Sequence, residues 1–138
     1  MIEKVLKLSN IKQAIRQTQA NRGSAGVDKM PVSQLTEYFE HHQASLFTKI
    51  INHAYKPQAI RGVEIPKPNG KTRLLGVPTV VDRALQQAVS QALMPLFEPD
   101  FHENSYGFRP KRNAHQAILK SQKFIEYGYK HIVEIDVK

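Results

Sequence analysis

Lys67, Lys71 and Arg73 fall within the nine residues IPKPNGKTR at 65–73, and no acid lies between Glu64 and Asp82. Cations crowded in this way around Asn69-Gly70 are arranged to meet something negative. A second basic run begins at Arg109, Lys111 and Arg112 and continues to Lys123, with five cations and no acid. It starts beside two aromatic residues, Tyr106 and Phe108. The default for such a run is a solvated face, and the default for Phe108, between Gly107 and Arg109, is a core plug. Near the end, IVEIDVK places Asp136 on an alternating pattern, where an isolated carboxylate reads as a solvated strand end. No Cys is present, which excludes disulfides, zinc knuckles and a thiol nucleophile. The six His, including the His41-His42 pair, show no metal-ligand spacing, so they read as surface or core residues.

The balance of charge narrows the partner. Twenty Lys and Arg against twelve acids leave a net charge of +8 on 138 residues, and a polyanion, nucleic acid first, is the partner this favours. A membrane surface competes poorly, because no apolar run approaches the ~18 residues of a spanning helix. The N-terminus MIEKVLKLSN is amphipathic rather than a signal peptide, which predicts a cytoplasmic protein.

These groups need positioning, and the sequence predicts an α+β arrangement. Val5, Leu6, Ile11, Ala14, Ile15 and Thr18 fit one or two short helices over 2–20, with Ser9 or Asn10 as a candidate cap. The Gly-rich link Asn21–Gly26 lacks the context of a phosphate cradle and reads as a flexible turn. Helical spacing from Pro31 to Ala54 allows a break near His42. Val63 and Ile65 precede Asn69-Gly70 and Leu74, Leu75 and Val77 follow it, which predicts a hairpin over about 62–77 with a type I′ turn. Thr79 and Asp82 cap a long helix over about 79–97, whose apolar residues recur from Val81 to Leu96 and which Pro95 bends or ends. Asp82 and Arg83 are expected to serve as cap and structural ion pair. A loop over 98–110 leads to a helix over about 113–127 with Ala114, Ala117, Ile118 and Ile125 inward and Gly128 as its stop. Residues 129–138 alternate as a strand. A strand that ends two residues after Asp136 has nothing to complete a sheet, which predicts a truncated chain whose missing part is C-terminal.

Three blocks carry a specific resemblance. IPKPNGKTRLLGVPTVVDRALQQAV (65–89), SYGFRPKRNAHQA (105–117) and IVEIDVK (132–138), preceded by Asn21-x-Gly23 and Gly26-Val27-Asp28, resemble bacterial group II intron reverse transcriptases in order and wording. The resemblance covers nearly the whole chain. It implies a truncated right-hand polymerase: an N-terminal extension (1–30), a mostly helical fingers region with its hairpin (31–128), and the first palm strand (129–138). The function it implies is RNA-directed DNA synthesis together with assistance to splicing. Implied partners are intron RNA, an RNA template with a DNA primer, and dNTPs, with no membrane; a homodimer is left open. The Tyr-x-Asp-Asp block that supplies the remaining acids of the family is absent.

Residue roles follow from that resemblance. Asp136 becomes the catalytic residue and ligand to Mg²⁺, of which the complete enzyme holds two ions. Lys67 and Arg73 become nucleotide-binding, through the triphosphate. Arg61, Lys71, Arg109, Lys111 and Arg112 become template- or RNA-binding. A two-residue loop, Asn69-Gly70, pairs Lys67 with Thr72 and sends Lys67 and Arg73 to opposite faces. A three-residue loop, 69–71, pairs Lys67 with Arg73 on one face, as joint triphosphate binding requires. One carboxylate cannot hold two ions, so residues 1–138 alone are expected to be inactive. Two alternatives stand beside this reading: an RNA-binding maturase module without polymerase activity, and a diversity-generating or retron-type reverse transcriptase.

Overall fold

The computed structural model describes residues 1–136 and divides the chain into two compact units, Met1–Leu96 and Phe97–Lys138. In the first, α1 (Ile2–Leu6) and α2 (Leu8–Ala20) are separated at Lys7, whose extended backbone (ψ 130°) interrupts the helix. A 3₁₀ turn, Val32–Gln34, leads into α3 (Leu35–Ile51). The antiparallel hairpin β1 (Arg61–Pro66) and β2 (Thr72–Val77) follows, then α4 (Val80–Phe97).

The apolar stripe of α4 makes the core. Val80, Val81, Ala84, Leu85 and Ala88 are buried with Ile11, Ala14 and Ile15 of α2 and with Leu35, Phe39 and Leu46 of α3. Residues at i, i+3 and i+4 share a face, so one stripe meets two helices. Polar side chains fix the seam. Asn10 caps no helix; its Nδ2 donates to Val5 O (2.9 Å) and to Ala88 O (3.0 Å), and Gln91 Nε2 donates back to Asn10 Oδ1 (2.8 Å). α3 runs through His42 without a break; His42 stacks on Tyr38 (4.5 Å between ring centres) and its Nδ1 lies 3.0 Å from Tyr38 O. Pro95 neither ends nor shortens α4 before Phe97, since so near the C-terminus it removes just one bond of the last turn.

The Gly-rich link is a packed turn. A Cβ on Gly26 would stand 2.7 Å from Thr79 Cα, and one on Gly23 would collide with the Arg83 guanidinium. Arg83 Nη2 donates to Ser24 O (2.6 Å), so Arg83 fastens the link through a backbone carbonyl, where an ion pair was expected. Gly26 is required by its close approach to the Thr79 backbone, whereas the flexible Arg83 side chain could swing away from a side chain at Gly23.

In the second unit a 3₁₀ turn, Glu98–Asp100, and a loop lead to α5 (Ala114–Glu126). α5 opens on a complete capping box: Gln116 N donates to Asn113 Oδ1 and Asn113 N to Gln116 Oε1, both at 3.0 Å. It closes on a Schellman motif, with Gly128 at φ 91°, Tyr129 N bonded to Phe124 O and the Tyr129 ring edge-on to Phe124. Two expectations fail here. Ile118 and Ile125 are exposed, and no residue of α5 is buried. Residues 129–136 form no strand, because a strand needs a bonded neighbour and the one ladder among the described residues is β1–β2. Val137 and Lys138, the end of the expected strand, lie outside the described residues. No helix among the described residues is long and apolar enough to cross a membrane.

Candidate nucleic-acid interface

The hairpin adopts neither expected register. Ile65 pairs with Arg73 and Pro66 with Thr72, and Lys67 N donates to Lys71 O (2.7 Å). The loop is therefore Pro68-Asn69-Gly70. Gly70 N bonds to Lys67 O (3.0 Å), and positive φ occurs at Gly70 (76°) but not at Asn69. This is a type I turn closed by a left-handed glycine. Pro68 explains it: its φ, fixed near −65°, suits position i+1 of a type I turn, so the turn starts one residue early. Asn69 Oδ1 accepts from Lys71 N (3.2 Å) and completes the tip.

Paired residues of a ladder share a face, and so do alternate residues along a strand. The observed register thus puts Lys67, Lys71 and Arg73 on one face with Arg61, Val63, Ile65, Leu75 and Val77. Glu64 projects from the other face. Lys67 and Arg73 are brought together as joint anion binding requires, Lys71 joins them, and Arg61 lies at the far end of the stripe, about 20 Å from Lys67 at ~3.4 Å per residue.

What holds the base of the hairpin was invisible in the sequence. Asp82 is buried and accepts from Thr79 Oγ1 (2.7 Å), from Gln58 N (3.1 Å) and from the Tyr55 hydroxyl, while Asp82 N donates to Thr79 Oγ1 (3.2 Å). The predicted cap is present, and the same carboxylate ties down the chain that enters β1. Burial, reinforced by the bond to Asp82, pushes the Tyr55 hydroxyl well above its ordinary pKa of 10.0. Above that pH the unfolded chain releases the proton while the folded chain keeps it, so stability falls as pH rises. Tyr55→Phe should flatten the slope between pH 10 and 11, by at most about 1.4 kcal/mol per pH unit. Denaturant melts at both pH values check this; equal slopes for the two proteins would show that Tyr55 titrates alike folded and unfolded.

Arg109, expected to contact RNA, is engaged internally in this structure. Its side chain is 7% exposed. Nε and Nη2 donate to Glu98 Oε1 (3.1 and 2.8 Å), Nη1 to His102 O and Ser105 O (2.8 and 2.9 Å), and Nη2 also to Glu98 O (3.5 Å). A guanidinium has five N–H donors, and all five are used. Its face also lies 5.1 Å from the Phe101 ring centre. Lys111 stays exposed in a left-handed conformation (φ 59°), and Arg112 lies over Tyr106 at 5.4 Å. Phe108 is fully exposed, also left-handed (φ 56°), and fills no core of the described structure.

Asp136 is exposed in an irregular segment. Among the described residues no three His, Asp or Glu gather closely enough to hold a metal ion. This donor set does not fit a two-ion site.

The sequence family described as "Reverse transcriptase (RNA-dependent DNA polymerase)" matches residues 65–138, more than half of the chain. The chain belongs to the reverse transcriptase family. Among its relatives, protein YkfC of Escherichia coli (strain K12) is 37% identical over 123 residues, which are 85% of this chain and 32% of that protein. The group II intron-encoded protein LtrA of Lactococcus lactis subsp. cremoris is 44% identical over 85 residues, 61% of this chain and 14% of that protein. Maturase-like protein 1 of Euglena gracilis is 31% identical over 119 residues, 84% of this chain and 25% of that protein. The resemblance drawn from the three blocks is borne out. This reverse transcriptase chain spans a third or less of the length of each of these relatives. The family match begins at Ile65, so Lys67, Lys71 and Arg73 lie inside it and Arg61 outside it.

Proposed function

We propose that this chain is the fingers and initial palm portion of a group II intron RNA-directed DNA polymerase, which makes DNA on an RNA template and assists its intron RNA in splicing. The observation that carries this reading is the hairpin face. Lys67, Lys71 and Arg73 project together from an acid-free tip, within a stretch that matches the reverse transcriptase family. Lys67 and Arg73 suit the triphosphate of an incoming nucleotide, whose charge builds up as pyrophosphate departs. Arg61, Lys111 and Arg112 serve the template or intron RNA through phosphate contacts, which position a strand without reading its sequence. Asp136 contributes one carboxylate to a metal site that other segments of the polymerase complete. The setting is the bacterial cytoplasm.

The test is primer extension. Residues 1–138 should add no nucleotide to a DNA primer on an RNA template at any Mg²⁺ concentration, because one carboxylate does not assemble two ions. The complete intron-encoded protein should extend the primer. Extension by residues 1–138 above a no-protein control would overturn the division of labour. A complete protein that binds intron RNA but never extends would establish the maturase reading without polymerase activity.

A further inference from the structure

We propose that Lys71 is a third ligand of the nucleotide triphosphate, acting with Lys67 and Arg73 rather than with the RNA backbone. This rests on the reading that the hairpin binds the incoming nucleotide, and it changes the membership of that site. The register carries it. Lys67 N bonds to Lys71 O at 2.7 Å, so the two lysines stand directly opposite, with Cβ atoms roughly 4.5–5.5 Å apart on one face. Arg73 is the next residue on that face, opposite Ile65.

Like charges placed directly opposite destabilise a hairpin. Nothing on this face relieves the repulsion: the ion pairs among the described residues are Arg109–Glu98 and Lys120–Glu103, and Glu64 projects from the other face. The tip is also held firmly. Pro68, the left-handed Gly70 and the Asn69–Lys71 bond fix the backbone on which both lysines are mounted. A fixed, uncompensated pair with a third cation beside it matches a compact, multiply charged anion. A polyphosphate presents its charges on adjoining phosphates, whereas the phosphates of a strand are separated by sugars. The cluster therefore fits the triphosphate better than a template backbone.

The probe is inorganic tripolyphosphate, titrated into the 138-residue chain at low salt. Lys71→Ala, Lys67→Ala and Arg73→Ala should each weaken binding roughly three- to tenfold, and Lys71→Arg should restore most of the loss. Lys12→Ala, which removes one exposed charge from α2, should change little. Thermal stability of Lys71→Ala should not fall, since a repulsive pair is removed. If Lys67→Ala and Arg73→Ala weaken binding and Lys71→Ala does not, Lys71 is no ligand and the hairpin still binds nucleotide. If none of the three matters, the nucleotide role of the hairpin fails with it. An equal loss for Lys12→Ala would reduce the binding to overall charge and overturn the proposal.

Discussion

Arg73→Ala and Lys67→Ala in the complete polymerase are each expected to lower kcat/KM for the incoming dNTP by roughly 10²–10³, with primer–template affinity nearly unchanged. Both side chains project from the tip of one ladder face and share it with no acid. Their backbone is positioned before any ligand arrives. The turn is set by Pro68 and Gly70, and the chain entering β1 is tied to Asp82 through Gln58 N and Tyr55. Cations held in place stabilise charge that develops on a departing pyrophosphate more than charge already present in the bound substrate, so the loss should fall on kcat as well as KM. Steady-state kinetics with dNTP varied at saturating primer–template measures both. A loss confined to template affinity would make the hairpin an RNA clamp. With Lys71 on the same face, its alanine variant belongs in the same series; from chain position alone, a residue beside the turn promises much less.

That difference shows what sequence can carry. The place of the hairpin was legible, because Asn69-Gly70 between two apolar stretches is a strong local signal. Its register was not, because Asn-Gly supports one turn and Pro68 supports another a residue earlier, and each slip of one residue reassigns the faces. The periodicity of α4 gave its span and the buried half of its stripe, Val81 to Ala88, while Val89 and Leu96 are exposed; the cap at Thr79 held through its bond from Asp82 N. The remaining bonds of Asp82 join Tyr55 and Gln58, more than twenty residues away, and no local pattern announces such a pairing. Gly26 could be read as punctuation, but not as clearance for the Thr79 backbone. α5 shows the converse. Its caps were partly legible from Asn113 and Gly128, yet its apolar stripe stays open, because amphipathicity specifies a face to bury and not what buries it.

Arg109→Ala should loosen the loop over 98–112 at a cost of about 3 kcal/mol, while Lys111→Ala with Arg112→Ala should leave that loop intact and weaken RNA binding. Removing Arg109 strips Glu98 of its partner and leaves the carbonyls of His102 and Ser105 without their donor. The cost sits at the low end of the range for a broken buried pair because the Glu98 side chain keeps 30% of its exposure. Phe108, whose left-handed backbone adjoins Arg109, should lose its fixed position together with the loop. Hydrogen exchange of amides 98–112 reads this directly. RNA affinity, measured across a salt series, reads the other half. Each phosphate no longer neutralised by a side chain should reduce the slope of log affinity against log salt by about 0.7 for a single strand. The double variant should therefore flatten the slope by up to ~1.4, with exchange unchanged. If Arg109→Ala flattens the slope while its loop stays protected, the guanidinium reaches phosphate after all, and its five internal bonds do not describe the RNA-bound protein.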